Sequence, residues 1–243
     1  MLSKLKVKYI QSLGQKKFRD EHHRFVAEGP KTVLELLAEP NVRLHEIYAT
    51  SEWLHEHSLG INNELINEVS SAELERISSL STPNVVLGLF EKFQSREVVT
   101  VKGLVLALDT IQDPGNLGSI IRIADWFGIK DVICNTGCAD IYNPKVIQAT
   151  MGSVARVNVV YTNLYEWLRS TEARIFATTL GGQDITKIEK PLSGVIVIGN
   201  ESRGIEPAIL ALADEQITIP RTGRAESLNA AVATGIILSH LLT

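Results

Sequence analysis

Beyond residue 101 the sequence consists of short, almost unbroken apolar runs, GLVLALD, DVICN, ARVNVVYT, RIFATT, GVIVIGN and EQITIP. Strands that are apolar at nearly every position, rather than at alternate ones, must be covered on both faces, which is the condition of a parallel sheet between layers of helices. Helices are expected between them at about 117–127, 143–153, 163–170 and 206–212, with a long one over about 227–242. Ligands of such sheets bind at the carboxyl ends of the strands, so function is sought in the residues that leave those ends.

The preceding part reads differently. From Phe25 to Phe90 short units alternate: RFVAEG, LHEIYAT and VVLGLF as strands, KTVLELLAE and SSAELERISS as helices. This is a small α/β domain, expected over 1–93. The polar, mixed-charge stretch that follows holds no sustained period and is read as a linker at 94–101, leaving 102–243 as a second domain.

Composition narrows the classes. The chain has 243 residues, 44% of them hydrophobic, and a net charge of −4, which excludes a disordered chain and a uniformly basic nucleic-acid coat. Any RNA contact must therefore be local. The first 35 residues hold eight Lys/Arg against four Asp/Glu, so that end is the one expected to face a polyanion. No run approaches the roughly 18 to 20 apolar residues of a membrane span, and MLSKLKVKYI lacks the apolar core of a secretory signal; a cytoplasmic protein is expected. Cys134 and Cys138 have no second pair of Cys or His ligands at matching spacing, so no metal site is expected and both are read as reduced thiols near a strand end.

Three turns carry chemistry. GLVLALD ends in Asp109 and passes through TIQDPGN into a helix, with Asn116 suited to cap it and Gly118 and Ser119 open to close approach. The spacing is Gly-x-x-Gly, neither the Gly-x-Gly-x-x-Gly of dinucleotide binders nor a P-loop, so nicotinamide and ATP are disfavoured. Leu117, Ile120, Ile121 and Ala124 form the expected buried stripe of that helix, while Arg122 could reach a phosphate or pair with a neighbouring carboxylate. The second turn, Gly199 to Gly204, brackets Glu201, a charge that is costly at a strand end unless paired or functional. The third, Arg221 to Asn229, leads into the small-residue helix AAVATGII.

DPGNLGSIIRIADWFG, VIVIGNESRGI and IPRTGRAESLNAAVATGIIL resemble, in order, the three motifs of the SpoU (TrmH-type) branch of the SPOUT RNA 2′-O-ribose methyltransferases. The opening SLGQKKFRDEHHRFVAEGPKTVLELL is similar to the start of the ribosomal-protein-like substrate-binding domain found in many members. The resemblance implies an α/β fold in which a small RNA-binding domain precedes an α/β-knot domain with a parallel sheet and C-terminal trefoil knot. It implies S-adenosylmethionine as cofactor, RNA as partner with rRNA favoured over tRNA, and a homodimer formed through the catalytic domain. Carried over by motif, the catalytic set is Asn116, Arg122, Glu201, Ser227 and Asn229. The cofactor set is Thr179, Leu180, Gly181, Gly199, Ile219 and Leu228, and RNA contacts are expected at Lys16, Lys17, Arg19 and Arg24. A catalytically silent RNA-binding factor with the same fold is the contrasting reading, although every motif position keeps a chemically competent residue.

Overall fold

The computed structural model describes residues 1–57, 60–98 and 100–243. Val99, within the stretch read as linker, lies outside the described residues. Contacts divide the chain into two units, one of residues 1–94 and 140–155, the other of 95–139 and 156–243. The segment 140–155 thus groups with the N-terminal residues, although it lies between two strands of the second unit in sequence.

In the first unit, α1 (Lys4–Ser12) and α2 (Lys16–His22) lead into β1 (Arg24–Glu28), α3 (Pro30–Leu37), β2 (Leu44–Ala49), α4 (Ser51–Glu56), β3 (Ile66–Glu68), α5 (Ser71–Ile77) and β4 (Val86–Glu91). The sheet order is β1-β4-β2-β3. The helices α1 and α2 were not legible in the sequence, because lysines interrupt the apolar period and only Val7 and Ile10 of α1 are buried. Ser70 and Glu73 close a capping box on α5, satisfying two of its free amides reciprocally.

Arg19 is a correction to the expected RNA-contacting set. It is 2% exposed, and its guanidinium donates to Asp140 at 2.6 Å and to the carbonyls of Leu13 and Gly14 at 2.8 Å. A buried guanidinium is tolerated only with its donors satisfied, and internal acceptors take four of its five N–H groups, so it is not presented to a phosphate. Lys16 and Lys17 are exposed, whereas Arg24 is half-buried and donates to the Tyr9 hydroxyl at 2.8 Å. His22 and His23 stand at the exposed end of α2.

The second unit contains β5 (Leu104–Leu108), α6 (Pro114–Trp126) and β6 (Asp131–Asn135); the chain then enters the first unit for α7 (Pro144–Thr150). It returns for β7 (Asn158–Thr162), α8 (Leu164–Ser170), β8 (Ile175–Asp184), β9 (Gly194–Ile198), α9 (Pro207–Leu210), β10 (Glu215–Thr218) and α10 (Ala230–Leu242). Six strands lie in the order β10-β8-β9-β5-β6-β7 and every neighbouring pair is parallel. All five residues of β5 and of β9 are buried, the doubly covered pattern that their composition demands. The sequence order reverses direction at β5 and β9, so the switch point where such sheets open a crevice lies between their carboxyl ends.

Two boundaries depart from expectation for local reasons. The cap of α6 is Asp113, whose carboxylate accepts the Asn116 amide at 2.8 Å, so the helix begins at Pro114 and Asn116 lies inside its first turn. Residues 95–98 are not a free tether: Arg96 pairs with Asp131 at 3.0 Å and Trp167 donates to the Val98 carbonyl at 2.9 Å. No helix among the described residues is long and apolar enough to cross a membrane.

Two stability predictions follow from the ion pairs of the first unit. Arg19→Ala leaves the Asp140 carboxylate unpaired and should cost about 3–5 kcal/mol in denaturant unfolding, whereas Lys16→Ala, at an exposed pair, should stay within about 0.5 kcal/mol. Hydrogen bonds from Lys16 and Lys92 lower the Asp20 pKa to about 2. Because that value lies below the unfolded carboxyl's, the stabilisation is present above about pH 4 and is lost as pH falls through about 2. Thermal melts of Asp20→Asn should be flatter than wild type across that acid window.

Candidate functional site

At the end of β5 the buried carboxylate of Asp109 collects three donors. Its Oδ1 accepts from the Thr110 hydroxyl at 2.9 Å and from Asn135 Nδ2 at 2.6 Å, and its Oδ2 accepts the Glu206 amide at 2.7 Å. One side chain therefore ties together the turns after β5, β6 and β9. Asn135 returns the contact by accepting the Thr110 amide at 3.1 Å, holding Thr110 at φ 60°, a region that side-chain-bearing residues seldom occupy. The Cys138 thiol closes the same corner, accepting from the Ile111 amide and donating to the Leu108 carbonyl, each at 3.3 Å. Its hydrogen bond with Cys134, with burial, pushes the Cys134 thiol well up from its ordinary value, so Cys134 stays protonated.

The turn after β9 is a five-residue knuckle. Asn200 and Gly204 exchange backbone hydrogen bonds at 3.0 and 2.9 Å, while Asn200 Oδ1 accepts the amides of Ser202 and Arg203 and its Nδ2 donates to the Thr110 carbonyl at 2.9 Å. Gly199 is required here because a Cβ would stand 2.5 Å from the Gly204 carbonyl carbon. Glu201 is presented at the tip.

Glu201 accepts a hydrogen bond from Asn116 Nδ2, and Asn116 Oδ1 accepts in turn from Asn229 Nδ2 at 2.7 Å. The Asn229 Oδ1 caps α10, accepting the amides of Ala231 and Val232 at 3.0 and 3.2 Å. A single polar chain thus runs from the β9 knuckle through the first turn of α6 to the start of α10. Three segments far apart in sequence meet in it.

Beside this chain is a cavity of about 560 Å³. Glu201 and Ser227 line it, as do Thr179, Leu180, Gly199, Ile219 and Leu228. Gly181 is exposed and does not line it. Thr178, Thr179 and Leu180 form one wall because residues 178–182 bulge out of the β8–β10 ladder: Ala177 pairs with Gln216 and Gln183 with Ile217, so no residue of β10 pairs with them. Gly182 lets the loop turn back, since a Cβ would meet the Gln216 carbonyl carbon at 2.5 Å. Within this wall the Thr179 hydroxyl oxygen is buried and has no partner among the described residues, the state expected of a group that a ligand completes. Leu180 and Leu228 are 76% and 45% exposed, apolar surface suited to covering a flat ring.

Arg122 stands apart from the polar chain. It is exposed on α6, lines no part of the cavity and has no ion pair or hydrogen bond among the described residues, which removes the structural ion pair as its explanation. Among the described residues no cluster of three or more His, Cys, Asp or Glu could hold a metal ion. The framework residues Asp109, Asn135 and Asn200 carried no sequence signal beyond an acid or amide at a strand end, a position whose role depends on which strands become neighbours.

A switch-point crevice with a glycine-and-backbone wall on one side and a carboxylate–amide chain on the other defines an α/β protein that holds a small ligand next to a polar reaction site. The profile of the SpoU rRNA methylase family matches residues 103–239, and that of the MRM3-like substrate binding domain matches residues 4–88. The chain is 32% identical to the 23S rRNA (guanosine(2553)-2′-O)-methyltransferase RlmP of Bacillus subtilis over 97% of this chain and 95% of that one. Among solved structures, it is similar to a TrmH-family protein from Porphyromonas gingivalis, with 36% identity, a TM-score of 0.88 and 99% and 98% of the two chains covered. The AdoMet-bound rRNA methyltransferase from Sinorhizobium meliloti matches at 32% identity and a TM-score of 0.84, covering 99% and 95%. The chain belongs to the SpoU rRNA methylase family, and its fold is the α/β-knot fold that the resemblance implied.

Asp109 is the residue on which the crevice depends. Asp109→Ala strands three half-buried donors and should cost about 2–5 kcal/mol in chemical denaturation. Hydrogen exchange at the Glu206 amide should accelerate in the same variant.

Proposed function

We propose that this chain transfers a methyl group from S-adenosylmethionine to a ribose 2′-hydroxyl of ribosomal RNA. The observation that carries the reading is the chain Glu201–Asn116–Asn229 running beside a cavity with an unsatisfied Thr179 hydroxyl. Thr179, Leu180, Gly199, Ile219 and Leu228 would hold the cofactor, Thr179 by its free hydroxyl and the leucines by apolar cover. When bound, S-adenosylmethionine supplies a methyl group made electrophilic by its positively charged sulfur.

The remaining work falls to this chain's side chains. In-line placement of the ribose oxygen is the main requirement, and a hydrogen-bonded frame supplies it without reorganisation at the moment of reaction. Asn116 and Asn229 hold Glu201 in one orientation, and Ser227 stands exposed on the same cavity to meet the sugar. A guanidinium is a permanent cation with a planar fork of donors, so the role given to Arg122 is to bind the neighbouring phosphate and orient the hydroxyl rather than to remove the proton. Glu201 is the carboxylate in place to accept it.

Residues 1–93 serve as the RNA-binding domain, 94–101 as the connection and 102–243 as the catalytic domain. Ribosomal RNA is favoured over tRNA because the Bacillus subtilis relative, matched over almost the whole chain, is named for a 23S rRNA modification. Such an enzyme works in the cytoplasm. A homodimer is supported by exposed apolar side chains on the two mutually packed helices α6 and α10: Trp126 at 85%, Val232 at 51% and Leu242 at 42%.

Three measurements test the reading. Mapping 2′-O-methyl groups in total RNA with and without the gene should lose a ribosomal site; loss of a tRNA site would replace the substrate, and no loss would end the proposal. Arg122→Lys should reduce methylation by about 100-fold at every pH, since a point charge cannot reproduce two-pronged orientation. Near-normal rates with a shifted pH profile would make it a base after all. Sedimentation should give a dimer, and a fully active monomer at nanomolar concentration would contradict the proposed assembly.

A further inference from the structure

The second unit, residues 95–139 and 156–243, contains eight arginines, and they divide sharply. Arg96 pairs with Asp131 at 3.0 Å, Arg156 with Asp125 at 2.9 Å, Arg169 with Glu166 at 3.8 Å, and Arg174 with Glu215. The other four, Arg122, Arg203, Arg221 and Arg224, are all exposed and have no ion pair among the described residues. All four lie on the three segments that form the site. Arg221 is engaged locally, donating to the Ala225 carbonyl at 3.0 Å. The side chains of Arg203 and Arg224 have no hydrogen bond among the described residues either. Carboxylates are within sequence reach, yet Asp113 caps α6, Glu201 is held by Asn116, and Glu226 pairs with none of these arginines.

In a chain of net charge −4, arginines are readily neutralised, so leaving them bare around one crevice points to an external anion. Arg203 sits two residues beyond Glu201 on the β9 knuckle, and Arg224 lies three before Ser227 on the segment leading to α10. They therefore approach the reaction site from two separate loops. Arg224 does not line the ligand cavity, which argues against a role toward the cofactor's own carboxylate, whereas Arg203 is among the residues that line it, so its part is separated from cofactor binding by the test below.

We infer that Arg203 and Arg224 are positioning phosphate contacts, gripping the RNA backbone on either side of the ribose that Glu201 and Ser227 address. The assignment rests on the proposed methyltransferase reading and adds residues that neither the motifs nor the N-terminal basic cluster named. The contact is electrostatic and sequence-independent; it sets the register of the RNA strand over the cavity.

The test uses the full chain, a fluorescein-labelled 20-nucleotide single-stranded RNA and a salt series, with S-adenosylmethionine binding followed separately by calorimetry. Each phosphate contact to a single strand contributes about 0.7 to the slope of log affinity against log salt. Arg203→Gln and Arg224→Gln should each lower that slope by about 0.7, a loss of about 5-fold in affinity at 0.1 M salt, with cofactor affinity and melting temperature kept. Arg224→Lys should restore the slope, because a point charge suffices for a phosphate. The ion-paired Arg174→Gln should leave it unchanged. An unchanged slope in both glutamine variants overturns the inference, as does loss of cofactor binding with RNA affinity intact in Arg203→Gln or Arg224→Gln, which would assign that arginine to the cofactor. Failure of the wild-type chain to bind RNA while it still binds S-adenosylmethionine would instead fault the functional reading itself.

Discussion

The carboxylate of Asp109 is the constraint on which the rest of the crevice depends. A charge with 2% exposure is tolerated only when donors replace the water it has lost, and here the replacements come from the turns after β5, β6 and β9. Satisfying one buried group therefore fixes the relative position of three loops. The turn geometry that presents Asn116 and Glu201 follows from this, since Asn200 is anchored to the Thr110 carbonyl within the same corner.

Around that corner the site separates two kinds of polar group. The amides and the Glu201 carboxylate are bound to one another and to the start of α10, so they are held before any substrate arrives. Arg122, Arg203 and Arg224 are exposed and have no ion pair or side-chain hydrogen bond among the described residues, which leaves them hydrated and free to change partner. Rigid groups can define where a methyl group is delivered, whereas long cationic side chains can follow a backbone of varying shape.

The N-terminal unit shows how far formal charge can mislead. Arg19 and Lys16 belong to the same basic cluster and differ by three positions, less than one helical turn. One is buried in a network with Asp140 and two carbonyls, and the other lies on the solvated side with an exposed partner at Asp20. The difference arises because residues 140–155 pack in that unit, bringing Asp140 and also Tyr142, whose ring stands 5.1 Å from that of Phe25. Nothing local to residues 16–24 encodes the arrival of a carboxylate from 121 residues away.

The sequence by itself determined the parallel sheet, because strands apolar at every position allow no other environment. It also marked the three motif turns, whose glycines and amides suit tight exits from strands. Only the tertiary structure decided that Asn116, Glu201 and Asn229 form one hydrogen-bonded chain, that Asp109 organises it, that Asp113 rather than Asn116 caps α6, and that Arg19 is interior. Each of these depends on which strand ends become neighbours and on where a distant carboxylate or carbonyl comes to lie. Local pattern carries period and turn chemistry; it does not carry the partners that long-range packing supplies.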